Sequence, residues 1–168
     1  PEPSNRPLPP APCATYVLRR SADPLTPRAM SLIRSASMLT LEAAKRLAAG
    51  AEAEALKRGW AVAVAVVDPA GGLILLHSLD GTQPASQDVA VLKARTAARF
   101  KRPTKAFEDA IAAGRTAVIT MPGAVALEGG IPVMAGGQLV GAVGVSGMTS
   151  TEDGVIAAAA IAAMGEVS

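Results

Sequence analysis

The chain has 168 residues, which is enough for one domain and too short for two domains of ordinary size. Half of its residues are hydrophobic but only 2% are aromatic, so Ala, Val, Leu and Ile must form the core. A net charge of +2 with so few aromatic side chains argues against nucleic-acid binding. The lack of an apolar run of about 18 residues argues against a membrane span. A single cysteine excludes an internal disulfide.

Residues 1–29 differ in composition from the rest of the chain. They hold eight of the 13 prolines and show no sustained hydrophobic periodicity. Because proline fixes φ and removes a backbone donor, we expect an extended arm here, followed by one domain over 30–168. The arm carries the whole excess of positive charge, and its Arg19-Arg20 pair is not followed by the apolar segment of an export signal. We therefore expect a neutral domain in the cytoplasm.

The domain is predicted to begin with a helix and a β-hairpin. Thr40 is a suitable N-cap for a helix over Leu41–Arg58, and Gly59 is a suitable stop. The apolar run 61–67 predicts a buried central strand, and a second strand is predicted over 73–79. The Asp-Pro-Ala-Gly-Gly segment between them is typical of a turn, so the two strands should form a hairpin.

Two further helices are predicted in the middle of the domain. The first extends over about 86–100. Pro103 interrupts the pattern, and together with Thr104 it caps a short helix that ends at Gly114.

A second hairpin and a last helix complete the predicted order. Strands over 131–135 and 138–145 flank Gly136-Gly137, which is a strong hairpin signal. Ser150 or Thr151 is expected to cap the final helix. Acidic residues in its first turn should interact favourably with the positive, N-terminal end of the helix dipole.

The order helix, hairpin, helices, hairpin, helix predicts the fold class. Since hairpins make antiparallel sheets, we expect an α+β fold with a central, mainly antiparallel sheet flanked by helices. The sequence has no Walker loop and no GxGxxG motif after its first strand, which argues against a doubly wound nucleotide-binding fold.

Five short motifs of the domain resemble, in the same order, those of the GlcG/HbpS family. The resemblance as a whole extends over residues 39–164, and the motifs, which lie within 66–153, are jointly specific. The motifs are Val66-Val67-Asp68 with Gly71 and Leu79-Asp80-Gly81, Lys93-Ala94-Arg95-Thr96-Ala97 with Phe100 and Pro103-Thr104, Glu128-Gly129-Gly130-Ile131-Pro132-Val133, Gly141-Ala142-Val143-Gly144-Val145-Ser146-Gly147, and Thr151-Glu152-Asp153.

The resemblance implies a profilin-like outline, assembly into dimers to octamers, binding of haem or a corrinoid, and a link to glycolate or diol catabolic operons. It leaves open whether the chain is an enzyme. Two positions depart from the family pattern, which commonly has Arg at Ser78 and His or Asn at Gly72. Ser78 cannot supply the positive charge that would pair with a haem propionate or a substrate carboxylate.

Lys93 is the charged residue that is hardest to explain from its surroundings in sequence. It lies three positions before Thr96 on a helix made mostly of Ala, Val and Leu. A lysine in such a setting either extends to water or meets an anion. We predict Lys93 and Thr96 as ligand-binding residues, with a purely structural role as the alternative.

Glu128 and Asp80 are the predicted catalytic residues. Glu128 precedes Gly129-Gly130, where the backbone can approach a ligand closely, so it could be a general base or could pair with Lys93. For Asp80, the alternative is a simple turn residue that accepts backbone N–H groups. Gly129, Gly130 and Ser146 are predicted to contact the ligand.

His77 is the only histidine of the chain. An ordinary strand residue is its favoured interpretation, because zinc requires three or four protein ligands, and no metal site is predicted. Cys13 lies in the arm and is interpreted as an inert thiol.

These patterns predict a small-molecule-binding protein for haem or a related tetrapyrrole. Its anionic ligand is expected in a cleft that Lys93 and Glu128 line together. One alternative is an enzyme that acts on a small carboxylate or hydroxy acid by proton transfer or lyase chemistry, and another is an oligomeric accessory protein without a site. The Ala-, Val- and Gly-rich faces of a neutral domain also predict a homo-oligomer.

Overall fold

The computed structural model describes residues 36–165, and within them it confirms the predicted α+β class. Its helices are α1 (Leu41–Arg58), α2 (Ala85–Phe100), α3 (Lys105–Ala112) and α4 (Ser150–Met164), with a short 3-10 turn at Thr116–Thr120 that was not predicted. Its strands are β1 (Ala63–Val67), β2 (Leu73–Ser78), β3 (Gly130–Ala135) and β4 (Gln138–Ser146). The predicted arm over 1–29, with Cys13, lies outside the described residues.

The four strands form one antiparallel sheet in the order β2-β1-β4-β3. Both predicted hairpins are present, and pairing between β1 and β4 joins them. The central strand β1 is buried throughout, and its successive side chains face opposite sides of the sheet. Val64 and Val66 face one side, whereas Ala63, Ala65 and Val67 face the other. The two faces therefore differ in the volume that they present to the helices.

Helices pack on both faces of this sheet. α1 and α4 cover the valine face, where Leu47 and Ile156 join the core. α2 covers the alanine face with Ala90 and Ala94. Gly144 of β4 allows a very close approach, since a Cβ there would lie 2.2 Å from the Ala90 carbonyl oxygen. Within the described range, no helix combines the length and the apolar character needed to cross a membrane.

The N-cap of α4 is Thr149 rather than Ser150 or Thr151. Thr149 Oγ1 accepts the backbone N–H of Glu152, and the Glu152 side chain accepts the backbone N–H of Thr149. All three hydroxyl residues are good caps, so the choice depends on which one has a glutamate three positions later. That reciprocal pattern selects Thr149, and it is a signal that the sequence itself contains.

Candidate functional site

Lys93 is buried and pairs with an acid that the sequence did not single out. The side chains of Lys93 and Asp153 are each 2% exposed, and Lys93 Nζ lies 2.6 Å from Asp153 Oδ2. Nζ also donates to the Val145 carbonyl oxygen at 3.0 Å, and Asp153 Oδ1 accepts the Met148 N–H at 3.0 Å. The alternative in which Lys93 pairs with Glu128 is therefore wrong, because Asp153 is its partner.

Burial decides the protonation properties of this acid. Removal from water raises the pKa of the Asp153 carboxyl, while the hydrogen bonds from Lys93 and from the Met148 N–H act in the opposite direction. Both members of the pair have their partners inside the fold. The arrangement has the features of a structural ion pair, and the ligand-binding role of Lys93 stays a prediction.

Glu128 lies beside this pair but belongs to a more exposed network. Its carboxylate contacts Gly154, where a Cβ would lie 2.3 Å from Glu128 Oε1, and its Oε2 is 3.6 Å from Lys105 Nζ. Its backbone N–H donates to Glu108 Oε2 at 2.5 Å, and Ser150 Oγ donates to Glu108 Oε1 at 2.7 Å. These contacts tie the loop before β3 to the first turns of α3 and α4.

Gly129, Gly130 and Ser146 lie in the same region as Lys93. A Cβ on Gly129 would lie 3.0 Å from Lys93 Nζ, and a Cβ on Gly130 would lie 2.4 Å from the Lys93 carbonyl oxygen. Ser146 ends β4 opposite Ala63 and is buried. The structure thus brings these predicted residues together, but close packing fills the space that the glycines leave.

Thr96 and Asp80 do not take part in these contacts. Thr96 Oγ1 donates to the Leu92 carbonyl oxygen at 2.8 Å and accepts the Val125 N–H at 3.0 Å. Thr96 therefore fastens the loop that precedes β3 to α2. Asp80, by contrast, follows β2 and lines an open cleft. Its predicted catalytic role stays a prediction.

This cleft of about 500 Å³ lies where α1 ends and β1 begins. Its walls combine apolar and acidic groups, and its lining residues are Glu52, Leu56, Gly59, Trp60, Ala61, Ser78, Leu79 and Asp80. Another cavity, of about 550 Å³, lies near Met38 and Val140 and has no charged side chain in its lining. The cleft at the end of α1 is therefore the stronger candidate for binding a polar or charged ligand.

Two polar contacts adjoin the cleft. His77 Nδ1 is hydrogen-bonded to Glu52 Oε1, which links β2 to α1. Arg58 lies over the ring of Trp60, with its guanidinium carbon 4.9 Å from the ring centroid. Within residues 36–165, no three His, Cys, Asp or Glu side chains gather closely enough to hold a metal ion.

Sequence reasoning missed Glu52 and Trp60 as members of a site. Trp60 carried a usable signal, because it is the only tryptophan and it directly follows the glycine that ends α1. Glu52 carried none, since it resembles the other solvent-facing acids of α1. Its contact with His77 depends on how α1 crosses the edge of the sheet.

The chain matches a family model described as "Haem degrading protein HbpS-like" over residues 39–162. Protein GlcG of Escherichia coli K12 is 42% identical over 109 residues, which cover 65% of this chain and 81% of GlcG. A solved double mutant of HbpS from Streptomyces reticuli is 36% identical, with a TM-score of 0.74 and coverage of 88% and 100% of the two chains. A solved complex of PduOC with haem is 28% identical, with a TM-score of 0.69 and coverage of 75% and 94%.

Proposed function

Because the chain belongs to the GlcG/HbpS family, we propose that it binds haem or a related tetrapyrrole in the cleft at the end of α1. The apolar part of the lining carries this proposal, since an indole and two leucines suit a flat apolar ring. The ionisable groups of the lining are the acids Glu52 and Asp80, so the positive charge for an anionic ligand must come from a residue beside the cleft. Ligand sites typically enclose about 300–1,000 Å³, and this cleft lies within that range. The haem complex of PduOC supports this class of ligand.

Arg58 is suited to pair with the negative charge of such a ligand, which Ser78 cannot do. Its Nε donates to Glu54 Oε1 at 2.6 Å, and this hydrogen bond lowers the pKa of the Glu54 carboxyl. A guanidinium has five N–H donors, so several stay free for a carboxylate such as a haem propionate. Its position on Trp60 holds that positive charge beside the apolar wall.

The fluorescence of Trp60 provides a direct test, because this residue is the only tryptophan in the chain and lines the cleft. We expect haemin to quench Trp60 emission and to show a Soret band displaced from that of free haemin. Leu56→Glu places a negative charge in the cleft wall at a side chain that is 69% exposed. It should weaken haemin binding by about 10-fold, which corresponds to about 1.4 kcal/mol, and leave the melting temperature nearly unchanged.

Leu41→Glu is the matched control for this variant. Leu41 is another exposed leucine of α1, and it does not line the cleft. We expect Leu41→Glu to bind haemin as the unmodified chain does. An equal loss in both variants, or no quenching of the unmodified chain by haemin, would contradict the proposal.

A further inference from the structure

A second polar site lies at the other end of β1 from the cleft, where the turn between β1 and β2 contacts α2. We propose that Arg95 and Arg99 of α2 form a binding site there for the phosphate group of a small phosphomonoester. Neither arginine lines the cleft at the end of α1, so this inference does not depend on the proposed function. It goes beyond that function because it assigns a second ligand to the domain.

Backbone carbonyl groups of the turn hold both arginines. Arg95 Nε donates to the Gly71 carbonyl oxygen at 3.0 Å, and Arg99 Nε donates to the Ala70 carbonyl oxygen at 3.1 Å. Because the two acceptors belong to consecutive residues, the two guanidinium groups meet at the same turn. Gly71 has a φ of 93°, and a Cβ there would lie 2.9 Å from Arg99 Nε, so this contact requires glycine.

The two positive charges have no carboxylate partner among residues 36–165. The salt bridges of this range involve other cations. Asp68, the acid of the same turn, accepts the backbone N–H groups of Ala70 and Gly72 through Oδ1, at 2.8 Å each. Like charges four positions apart on a helix repel each other. An anion bound by both arginines would offset that repulsion.

The Nε hydrogen bonds leave the other donors of each guanidinium for a ligand. A guanidinium has five N–H donors, so four remain on the Nη atoms of each arginine. Arg99 is exposed, and its Nη1 lies 4.0 Å from the position that a Cβ on Gly123 would occupy. The proposed site therefore lies among three segments, which are α2, the turn after β1 and the loop before β3.

The number of these donors favours a phosphate over a carboxylate. One guanidinium can occupy both oxygens of a carboxylate by two parallel hydrogen bonds. A terminal phosphate has three strong acceptor oxygens, so it can accept hydrogen bonds from both guanidinium groups at once. A nucleic acid is not expected as the source of the phosphate, because the domain is neutral and has few aromatic side chains on which bases could stack.

Isothermal titration calorimetry on the 168-residue chain at low ionic strength tests the site, with glycerol phosphate as the probe. We expect saturable binding that weakens as sodium chloride is added, because salt screens exposed charges. Acetate at the same ionic strength should bind at least about 10-fold more weakly, since it can use only one of the two guanidinium groups. Arg95→Gln and Arg99→Gln should each reduce the affinity for glycerol phosphate by at least about 10-fold.

Arg46→Gln is the matched control, because it removes the same charge at an exposed position of α1. It should bind glycerol phosphate as the unmodified chain does. Arg99→Lys keeps the charge but loses the planar group of donors, so it should also bind more weakly, and it decides the question if Arg95→Gln does not fold.

Two results would overturn the inference: no binding of glycerol phosphate by the unmodified chain, or an equal loss of affinity in Arg46→Gln and Arg99→Gln. If the arginines only brace the turn, the unmodified chain will not bind the probe, and Arg95→Gln will lower the melting temperature alone. Quenching of Trp60 by haemin should be unchanged in Arg99→Gln, so failure of this inference can be distinguished from failure of the proposed function.

Discussion

The ion pair between Lys93 and Asp153 removes two charges from water, which is costly unless the geometry of the pair is good. Here the charged atoms are 2.6 Å apart, and each side chain makes one further hydrogen bond to the backbone. Neither residue can be removed alone without leaving the other charge buried and uncompensated. We therefore expect the pair to matter for stability.

Lys93→Met keeps the length of the side chain and deletes its charge. We expect it to lower the free energy of unfolding by about 3–5 kcal/mol, because Asp153 stays buried without its partner. The double variant Lys93→Met/Asp153→Asn should recover part of that loss, since it removes both charges. Urea unfolding measures both values. Lost haemin binding with an unchanged unfolding midpoint would instead favour the predicted ligand-binding role.

The same variant should show a distinctive pH dependence. Because burial raises the pKa of Asp153, the native state holds this proton to a higher pH than the unfolded chain does. Protonation of Asp153 therefore stabilises the native state. This contribution is complete below the unfolded-state pKa of about 3.9 and is lost as the pH rises through the folded-state pKa of Asp153. Deleting Lys93 removes an effect that lowers this pKa, so the stability deficit of Lys93→Met should shrink on acidification. A deficit that grows on acidification would contradict this account.

Lys93 could be found from the sequence because a cation among small apolar residues of a helix is locally conspicuous. Asp153 could not be found in the same way. It lies 60 residues away, and an acid in the first turn of a helix already has a sufficient local explanation in the helix dipole. His77 and Glu52 differ in the same manner, because the histidine is unique while its partner is one of several acids on α1.

Among the elements, α1 and α4 make a contact that depends on a missing side chain. Gly50 lies in the interior of α1, where glycine is unfavourable by about 1 kcal/mol relative to alanine. A Cβ on Gly50 would lie 2.3 Å from Ala163 Cβ and 3.3 Å from the Ala159 carbonyl oxygen. Close approach of the two helices therefore requires the glycine despite its low helix propensity.

Exchange of the two side chains tests this contact. Gly50→Ala should destabilise the domain by about 1–3 kcal/mol, because overpacking outweighs the gain in helix propensity. Adding Ala163→Gly removes the atom that the new methyl group would meet, so the double variant should be more stable than Gly50→Ala alone. Thermal unfolding of the two single variants and the double variant gives the coupling free energy. Additive effects would show that the two positions do not share a contact.

The identity and order of the regular elements could be predicted because hydrophobic periodicity and turn residues are local signals. The first and last residues of these helices and strands were harder to predict. β1 begins at Ala63 rather than at residue 61, since an apolar run does not show where pairing with β2 and β4 starts. The 3-10 turn at Thr116–Thr120 has no periodic pattern and depends on the loop contacts around it.

At the scale of the whole molecule, α4 carries no charged side chain after its first turn, which holds Glu152 and Asp153. Val155 is an exposed large hydrophobic residue, and Ala158 and Ala162 are exposed on the same side of the helix. A helix that is apolar on all sides normally has neighbours on all sides. We therefore keep the prediction of a homo-oligomer and expect this surface of α4 to take part in it.

Light scattering on the 168-residue chain tests this prediction. We expect an oligomer, and we expect Ala158→Glu to shift it towards the monomer because the variant buries a charge in the interface. Ala53→Glu adds the same charge at an exposed position of α1 and should leave the oligomer unchanged. A 168-residue chain that is monomeric would reject the prediction. A chain that begins at Met38 tests the arm separately, since an unchanged oligomer and melting temperature would exclude a stabilising role for it.

The pairing of the first helix with the last has a consequence for synthesis of the protein on the ribosome. α1 emerges first, but the helix that covers part of its buried face is the last to be translated. The central strand β1 must likewise wait for β4, which follows it by about 70 residues of sequence. During translation, the valine face of β1 and the alanines of α1 therefore stay exposed as hydrophobic surface that is prone to aggregation. We expect a chain cut short before α4 to leave these surfaces uncovered, and therefore to aggregate and to be cleaved by proteases more readily than the whole domain.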